Sequence, residues 1–349
     1  MSIKISGRNI GVNYKPFIIA EMSGNHNNNL DRAIALVDAA ADAGVDALKI
    51  QTATPEGLTL NLSSEDFVIN DKNSLWNGRT LFNLYQEAVT PWEWHKVIFE
   101  HCKKRNIIAF SSPFEMGAVD FLEELSVPCY KIASFEIVDL PLIRKAASTG
   151  KPIIISTGMA TVSDIQDAIS AAKSVGNNQI ILLKCTSSYP ASPLDSNLKT
   201  IEHLRDLFGT EVGLSDHTMG IGVPCASIAF GATVIEKHFT LSRDEGGVDS
   251  AFSLEPAELK DLVVETERAW QGIGSVKYGQ EKSEDKSMMF RRSIYICQDI
   301  KRGESITKDN VKIIRPGFGL APKYFDIILG LRVNKDLKKG ARMSWKNIG

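Results

Sequence analysis

The amino-acid sequence predicts an α/β fold, a (β/α)8 barrel of the TIM type followed by a small β-rich domain. Three observations carry the prediction. Eight short apolar runs, many of them β-branched, recur between Phe17 and Thr240. Most are separated by amphipathic segments whose apolar residues return at three- and four-residue spacing. After Tyr278 the composition turns polar, and no long helical pattern follows. Eight strands with helical crossovers make a parallel sheet, and eight is the number that closes into a barrel. An open doubly wound sheet is the alternative, disfavoured because no glycine-rich dinucleotide fingerprint follows the first strand.

In chain order the strands are FIIAEM (17–22), ALKIQT (47–52), IIAFSSP (107–113), CYKIAS (129–134), PIIISTG (152–158), IILLKCTS (180–187), EVGLSDHT (211–218) and TVIEKHFT (233–240). The segment LDRAIALVDAAADAG typifies the helices between them, and Gly44, Gly150, Gly176 and Gly231 fall where C-caps belong. The second unit is long: an irregular stretch from Ala53 precedes a helical run ending near Arg105. An insertion there, at the C-terminal face of a barrel, is expected to cover or shape a site. Thr218–Ile235 is uncharged and raises the question of a membrane span. Its glycines, Pro224 and small polar residues predict a buried helix and strand instead. Residues 1–278 are thus expected to form the barrel, 279–292 a linker, and 293–349 a small domain with too little core to stand alone.

Composition bounds the function. Lys plus Arg number 40 and Asp plus Glu 42, a net charge of −2, without the basic excess of a nucleic-acid binder. With 43% hydrophobic residues the chain has enough apolar side chains to bury, so disorder is excluded as its main state. The first residues show no secretory core, and five cysteines without a CxxC read as reduced thiols, so a cytoplasmic protein bound to neither membrane nor nucleic acid is expected.

Polar residues at the C-terminal ends of barrel strands are where such enzymes carry their chemistry. Here they are Glu21; Lys49 and Gln51; Ser111 and Ser112; Lys131 and Ser134; Ser156 and Thr157; Lys184, Thr186 and Ser187; Ser215, Asp216 and His217; Glu236, Lys237 and His238. Lysines and serines converging on one cavity suit a phosphate and a carboxylate through charge-assisted hydrogen bonds. Schiff-base chemistry at Lys49 or Lys131 stays open beside anion binding. His217 and His238 stand one βα unit apart at equivalent strand ends, which suits a divalent metal with open positions and Lewis-acid chemistry. His26 follows Glu21 and is a further candidate for the site.

The strings FIIAEMSGNHNNNLDRA, LKIQT, YKIAS, IIISTGMA, CTSSYP, GLSDHT and EKHFT, in this order, resemble the sialic acid synthase family, which condenses phosphoenolpyruvate with an amino-sugar. Arg291 through IRPGFGL resembles that family's C-terminal antifreeze-like (SAF) domain. NDKNSLWNG, TPWEWHK, AFSSPFE, KIASFE and GGVDSAFSLEP look like the pseudaminic acid synthase branch of the family. The resemblance implies a cytoplasmic transferase using manganese or magnesium at His217 and His238. It implies catalytic roles for Glu21, Lys49 and Lys131, and phosphoenolpyruvate contacts from Lys49, Ser112, Lys131, Ser134, Ser156, Ser187 and Ser215. Gln51, Tyr189 and Asp249 match sugar-contacting positions. Arg315 matches an arginine that reaches the partner's sugar in a domain-swapped homodimer. Ser187 and Lys184 depart from the neuraminate branch, where an asparagine and a histidine stand. The resemblance to the pseudaminic acid synthase branch implies 2,4-diacetamido-2,4,6-trideoxy-L-altrose as the sugar, whose 6-methyl group calls for apolar surface, for which Phe67, Leu75, Trp76, Phe135 and Phe252 are candidates. A non-catalytic carbohydrate- or ice-binding protein is the reading from a different class, and the charged tail from Lys301 to Arg315 argues against ice.

Overall fold

A computed structural model describes residues 3–72 and 74–349; Asn73, within the NDKNSLWNG string, lies outside them. Strands β1 (Ile3–Ile5) and β2 (Arg8–Ile10) pair antiparallel around Ser6 and Gly7, whose φ angles of +46° and +80° make a left-handed two-residue turn. This hairpin is absent from the eight expected runs, because three-residue strands are too short to display a period. Its Ile3, Ile5 and Ile10 join the main core.

The eight expected strands then follow as β3 (Phe17–Glu21), β4 (Ala47–Thr52), β5 (Ile108–Pro113), β6 (Tyr130–Ile132), β7 (Ile153–Ser156), β8 (Ile180–Cys185), β9 (Glu211–Asp216) and β10 (Val234–His238). They pair in parallel, in sequence order, and close into a barrel with Val234 opposite Phe17 and His238 opposite Glu21. Helix α1 (Leu30–Ala43) follows β3; α2 (Pro55–Leu58), α3 (Leu81–Ala88) and α4 (Trp92–Lys104) occupy the long segment after β4. Helices α5 (Met116–Glu124), α6 (Leu140–Ala147), α7 (Val162–Ser174), α8 (Thr200–Phe208), α9 (Gly222–Ala229) and α10 (Pro256–Ile273) follow β5 to β10, one each. The uncharged stretch therefore contributes α9 and the start of β10. Among the described residues no helix is long and apolar enough to cross a membrane.

Local signals set the boundaries. Asn29 accepts from the Arg32 N–H at the start of α1, and Gly44 ends that helix in the left-handed region at φ +85°. Thr161 and Asp164 close a reciprocal capping box on α7. Inward-facing branched residues fill the barrel, and alanines such as Ala33, Ala40, Ala147, Ala168 and Ala172 let the outer helices approach it.

By internal packing the chain divides into Met1–Gly274 and Ser275–Gly349. Within the second unit Lys282–Phe290 forms a run of 3-10 turns, and β11 (Ser293–Ile296) pairs antiparallel with β12 (Val311–Ile314) ahead of the single turn α11 (Phe325–Ile328). Its core is small: Ile294, Ile296, Ile300, Ile306, Val311, Ile328, Val333, Leu337 and Met343.

Candidate active site

Side chains alternate along a strand, so only every second polar residue at a strand end faces the barrel axis. On β4 these are Lys49 and Gln51, and on β10 they are Glu236 and His238. At their centre the Lys49 ammonium lies 3.0 Å from Glu21 Oε2 and 3.3 Å from Glu236 Oε1. Lys131 Nζ approaches the same Glu236 oxygen at 3.4 Å. Lys49 also donates to Ser112 Oγ at 3.3 Å, and Ser215 Oγ donates to Glu236 Oε1 at 3.1 Å. All six side chains are buried. Buried charges persist only when paired, and here two ammonium groups face two carboxyl groups.

These pairings set the titration of the site. Burial pushes the Glu21 carboxyl up against the opposing pull of Lys49. Glu236 meets the same desolvation, but Lys131 and Lys49 outweigh it and hold the carboxylate down to about 2. Burial depresses Lys131, which has one close carboxylate, whereas Lys49, between two, is held above the ordinary lysine range despite its burial. Gly158 N–H donates to Ser134 Oγ at 3.2 Å, and a β-carbon on Gly158 would lie 2.1 Å from Ser187 Oγ. Glycine thus lets the backbone after β7 approach the hydroxyls of Ser134 and Ser187 closely.

His217 and His238 meet with ring centroids 5.2 Å apart, under Tyr189 at 4.5 Å from His217 and Phe252 at 5.0 Å from His238. His217 Nδ1 sits 2.9 Å from the Thr186 carbonyl, which takes its N–H, and against burial the contacts with Cys185 and that carbonyl hold the imidazole above its ordinary range. His238 is buried and driven far below the ordinary imidazole range, first by desolvation and then by His217 and the lysines, so it is neutral. Its Nδ1 is buried without a hydrogen-bond partner, 3.6 Å from Asp249 Oδ2. Two imidazoles in this arrangement fit a divalent cation that takes its other ligands from substrate and water. Among the described residues no group of three or more His, Cys, Asp or Glu forms a closed metal cage.

A cavity of about 510 Å³ opens over this cluster, lined by Glu21, Lys49, Gln51, Lys131, Ser134, Ser156, Tyr189, Ser215, His217, Glu236, His238 and Asp249. The insertion supplies one wall through Leu58, Ile69, Trp76, Leu84 and Tyr85, and Phe135 adds to it. Trp76 is held by a hydrogen bond from its indole N–H to the Val248 carbonyl at 3.3 Å, and its ring lies 5.9 Å from that of Tyr189. Phe67 is not on this wall, and Leu75 lines a neighbouring depression beyond Trp76.

Strand alternation corrects the expectations for Lys184, Asp216 and Lys237. Lys184 lies off the cavity and spends its ammonium on Thr186 Oγ1 at 2.6 Å, whereas Cys185 lines the cavity, 3.9 Å from His217 Nδ1. Asp216 and Lys237 are out of the cavity too and pair with each other. His26 is buried away from the cluster, accepting from Asn28 N–H at Nδ1 and bonding Thr90 through Nε2. Arg315 is exposed on the second unit. Glu236, Glu136, Cys185 and Ser23 are cavity residues to which the sequence assigned no role. Period-two alternation with His238 was a signal for Glu236; nothing in the pattern singled out Glu136, on the 3-10 turn Phe135–Val138.

Residues 36–278 match the NeuB family and residues 291–348 the SAF domain. The chain belongs to the NeuB family. It is 44% identical over 332 residues to the pseudaminic acid synthase of Campylobacter jejuni, covering 95% of this chain and 96% of that protein. The pseudaminic acid synthase of Helicobacter pylori is 43% identical over 334 residues, covering 95% and 98%. Among solved structures, N-acetylneuraminic acid synthetase from Leptospira borgpetersenii, in complex with citrate, superposes with a TM-score of 0.73 at 34% identity, over 83% of this chain and 96% of that one. The fold of this NeuB-family chain and its two-part organisation accord with those likenesses.

Proposed function

We propose that this chain is a pseudaminic acid synthase, condensing phosphoenolpyruvate with 2,4-diacetamido-2,4,6-trideoxy-L-altrose to give pseudaminic acid and phosphate. The observation that carries the reading is the likeness to two pseudaminic acid synthases along nearly the whole chain, joined to a cavity in which buried lysines stand beside a paired imidazole site. Lys49 and Lys131, with Ser112, Ser134, Ser156, Ser187 and Ser215, hold the phosphate and carboxylate of phosphoenolpyruvate. The substrate's anions take over the ammonium groups that the free site balances with Glu21 and Glu236.

His217 and His238 would hold manganese or magnesium, which when bound supplies Lewis-acid polarisation of the sugar's aldehyde oxygen. The methylene carbon of phosphoenolpyruvate bonds to the aldehyde carbon with the enol π pair, and the aldehyde oxygen is left as an alkoxide that takes up the proton released when water adds. Water adds to the cationic enol-ether carbon, and the resulting tetrahedral carbon expels phosphate by carbon–oxygen cleavage. Glu21, whose carboxyl burial raises, orients that water and takes its proton for delivery to the sugar alkoxide. Lys49 and Lys131 stabilise the phosphate as it leaves. Gln51, Tyr189 and Asp249 face the sugar, and Trp76 and Phe135 offer apolar surface to its 6-methyl group. Alignment of two substrates supplies a large share of the acceleration.

The same reading makes the protein a cytoplasmic homodimer in which the second unit crosses to the neighbour and Arg315 completes its sugar pocket. The small core of that unit and the exposure of Arg315 support this. Phosphate release from phosphoenolpyruvate, measured with a panel of hexosamines and with product mass determined, tests the function. The diacetamido-trideoxy altrose sugar is expected to be turned over much faster than N-acetylmannosamine. Equal or better kcat/KM with N-acetylmannosamine would make the protein a neuraminate synthase, and preference for the D-manno diacetamido isomer a legionaminate synthase.

A further inference from the structure

Ser23, the second residue after strand β3, occupies a conformation that its side chain disfavours. Its φ is +47°, in the left-handed region that glycine fills without penalty and other residues enter at a cost. Its side chain is buried at 3% exposure and lines the cavity beside Glu21 and Asp249. A strained, buried serine where glycine would fit better points to work done by the hydroxyl. That hydroxyl has two partners: it donates to Asp249 Oδ2 and accepts from Gln51 Nε2 at 3.2 Å. Gln51 Nε2 also donates to Glu21 Oε1 at 2.9 Å.

The direction of this chain is determined from one end. Glu21 is ion-paired with Lys49, so its carboxylate accepts, and the amide nitrogen of Gln51 must face it. Both amide protons of Gln51 are then spent, one on Glu21 and one on Ser23. Ser23 can satisfy Gln51 only as an acceptor, which sends its own proton to Asp249. Every donor in the chain is consumed internally. What remains for a ligand is the Gln51 carbonyl oxygen and the second oxygen of Asp249, two acceptors with no competing donor. The loop bearing Asp249 is braced against the loop bearing Ser23: Asn25 Nδ2 donates to Phe239 O and to Ser253 Oγ, both at 2.9 Å, and Ser253 Oγ donates to Asp249 O at 2.7 Å.

We propose that Ser23 is a specificity-determining positioning residue: its hydroxyl locks Gln51 and Asp249 into an acceptor pair that recognises N–H and O–H donors on the sugar, the amide N–H of an acetamido group foremost. This rests on the synthase reading above, because it assigns the sugar to this end of the cavity. An analogue without the donor leaves two buried acceptors unpaired, which is how a polar site rejects substrates strongly.

Ser23→Gly is the decisive variant, since glycine suits the backbone and removes only the hydroxyl. The variant is expected to fold with unchanged or raised thermal stability. Its KM for the diacetamido sugar should rise about tenfold or more, as losing a hydrogen bond to a charged group predicts, with the KM for phosphoenolpyruvate nearly unchanged. Its preference for the diacetamido over the monoacetamido sugar should narrow in step. An unchanged sugar KM and preference in folded Ser23→Gly, or an equal rise in both KM values, overturns the proposal while leaving the synthase reading intact. No phosphate release by the parent chain with any sugar of the panel removes that reading and this inference together.

Discussion

Lys237 and Asp216 form a buried ion pair, Nζ to Oδ2 at 2.6 Å, on the reverse side of the two strand ends that carry His238 and His217. Lys237 also donates to the Thr218 carbonyl, and both side chains are all but inaccessible, at 0% and 3% exposure. The pair therefore ties β9 to β10 directly behind the imidazoles.

Removing one partner strands a charge that water cannot reach. Asp216→Asn or Lys237→Met alone is expected to cost about 3–5 kcal/mol of stability. The double substitution should cost less than the sum of the two, because no buried charge is left unpaired. Urea unfolding of the four chains measures this, and strict additivity would show the pair to be uncoupled.

Glu136 predicts a pH dependence of stability. Burial raises its carboxyl from 4.5 to about 7, against the opposing effects of its own backbone N–H and Lys131, and Oε2 has no hydrogen-bond partner. A carboxyl whose folded value lies above its unfolded value binds its proton more tightly when folded. Its stabilising contribution is whole below pH 4.5 and is lost as pH rises through about 7. Glu136→Gln should therefore be the more stable chain at pH 8, by about 2 kcal/mol after allowing for partial exposure, with the advantage shrinking toward pH 5. Melting curves across this range would refute the assignment if the difference were flat.

Metal dependence follows from the imidazole pair. Excess chelator should abolish phosphate release, and added manganese or magnesium should restore it. With only two protein ligands there is no spare, so His238→Ala should weaken manganese binding by more than about a hundredfold, the upper end of what losing an outer-sphere partner costs. Calorimetric titration reads this without turnover. Full activity in verified absence of metal would sink the assignment.

Arg315 should work in trans. Co-expression of an Arg315→Ala chain with a Lys131→Met chain is expected to recover part of the activity that each homodimer lacks, because one composite site of the mixed dimer keeps both residues. Purified mixed dimers with no activity above either parent would place the arginine's role within its own chain or elsewhere.

The strands, the helices between them and most of the polar strand ends were legible in the sequence, because the period of apolar residues reports directly which face of an element is buried. FIIAE, ALKIQT and VIEKH needed no tertiary information to be read as strands. The β1–β2 hairpin was not legible, since three residues carry no period. Which polar residue of each strand end faces inward was decided only by barrel closure. Register turns Cys185 and Glu236 to the axis and Lys184 and Lys237 away, and a slip of one residue would exchange them. Glu136 and Ser23 gained their meaning the same way: an isolated glutamate and an isolated serine are ordinary in sequence. Burial raises the one, and a left-handed backbone with Gln51 on one side and Asp249 on the other employs the second. Periodicity is local and survives in one dimension, whereas desolvation, charge pairing and hydrogen-bond direction depend on neighbours that meet only when β10 closes against β3.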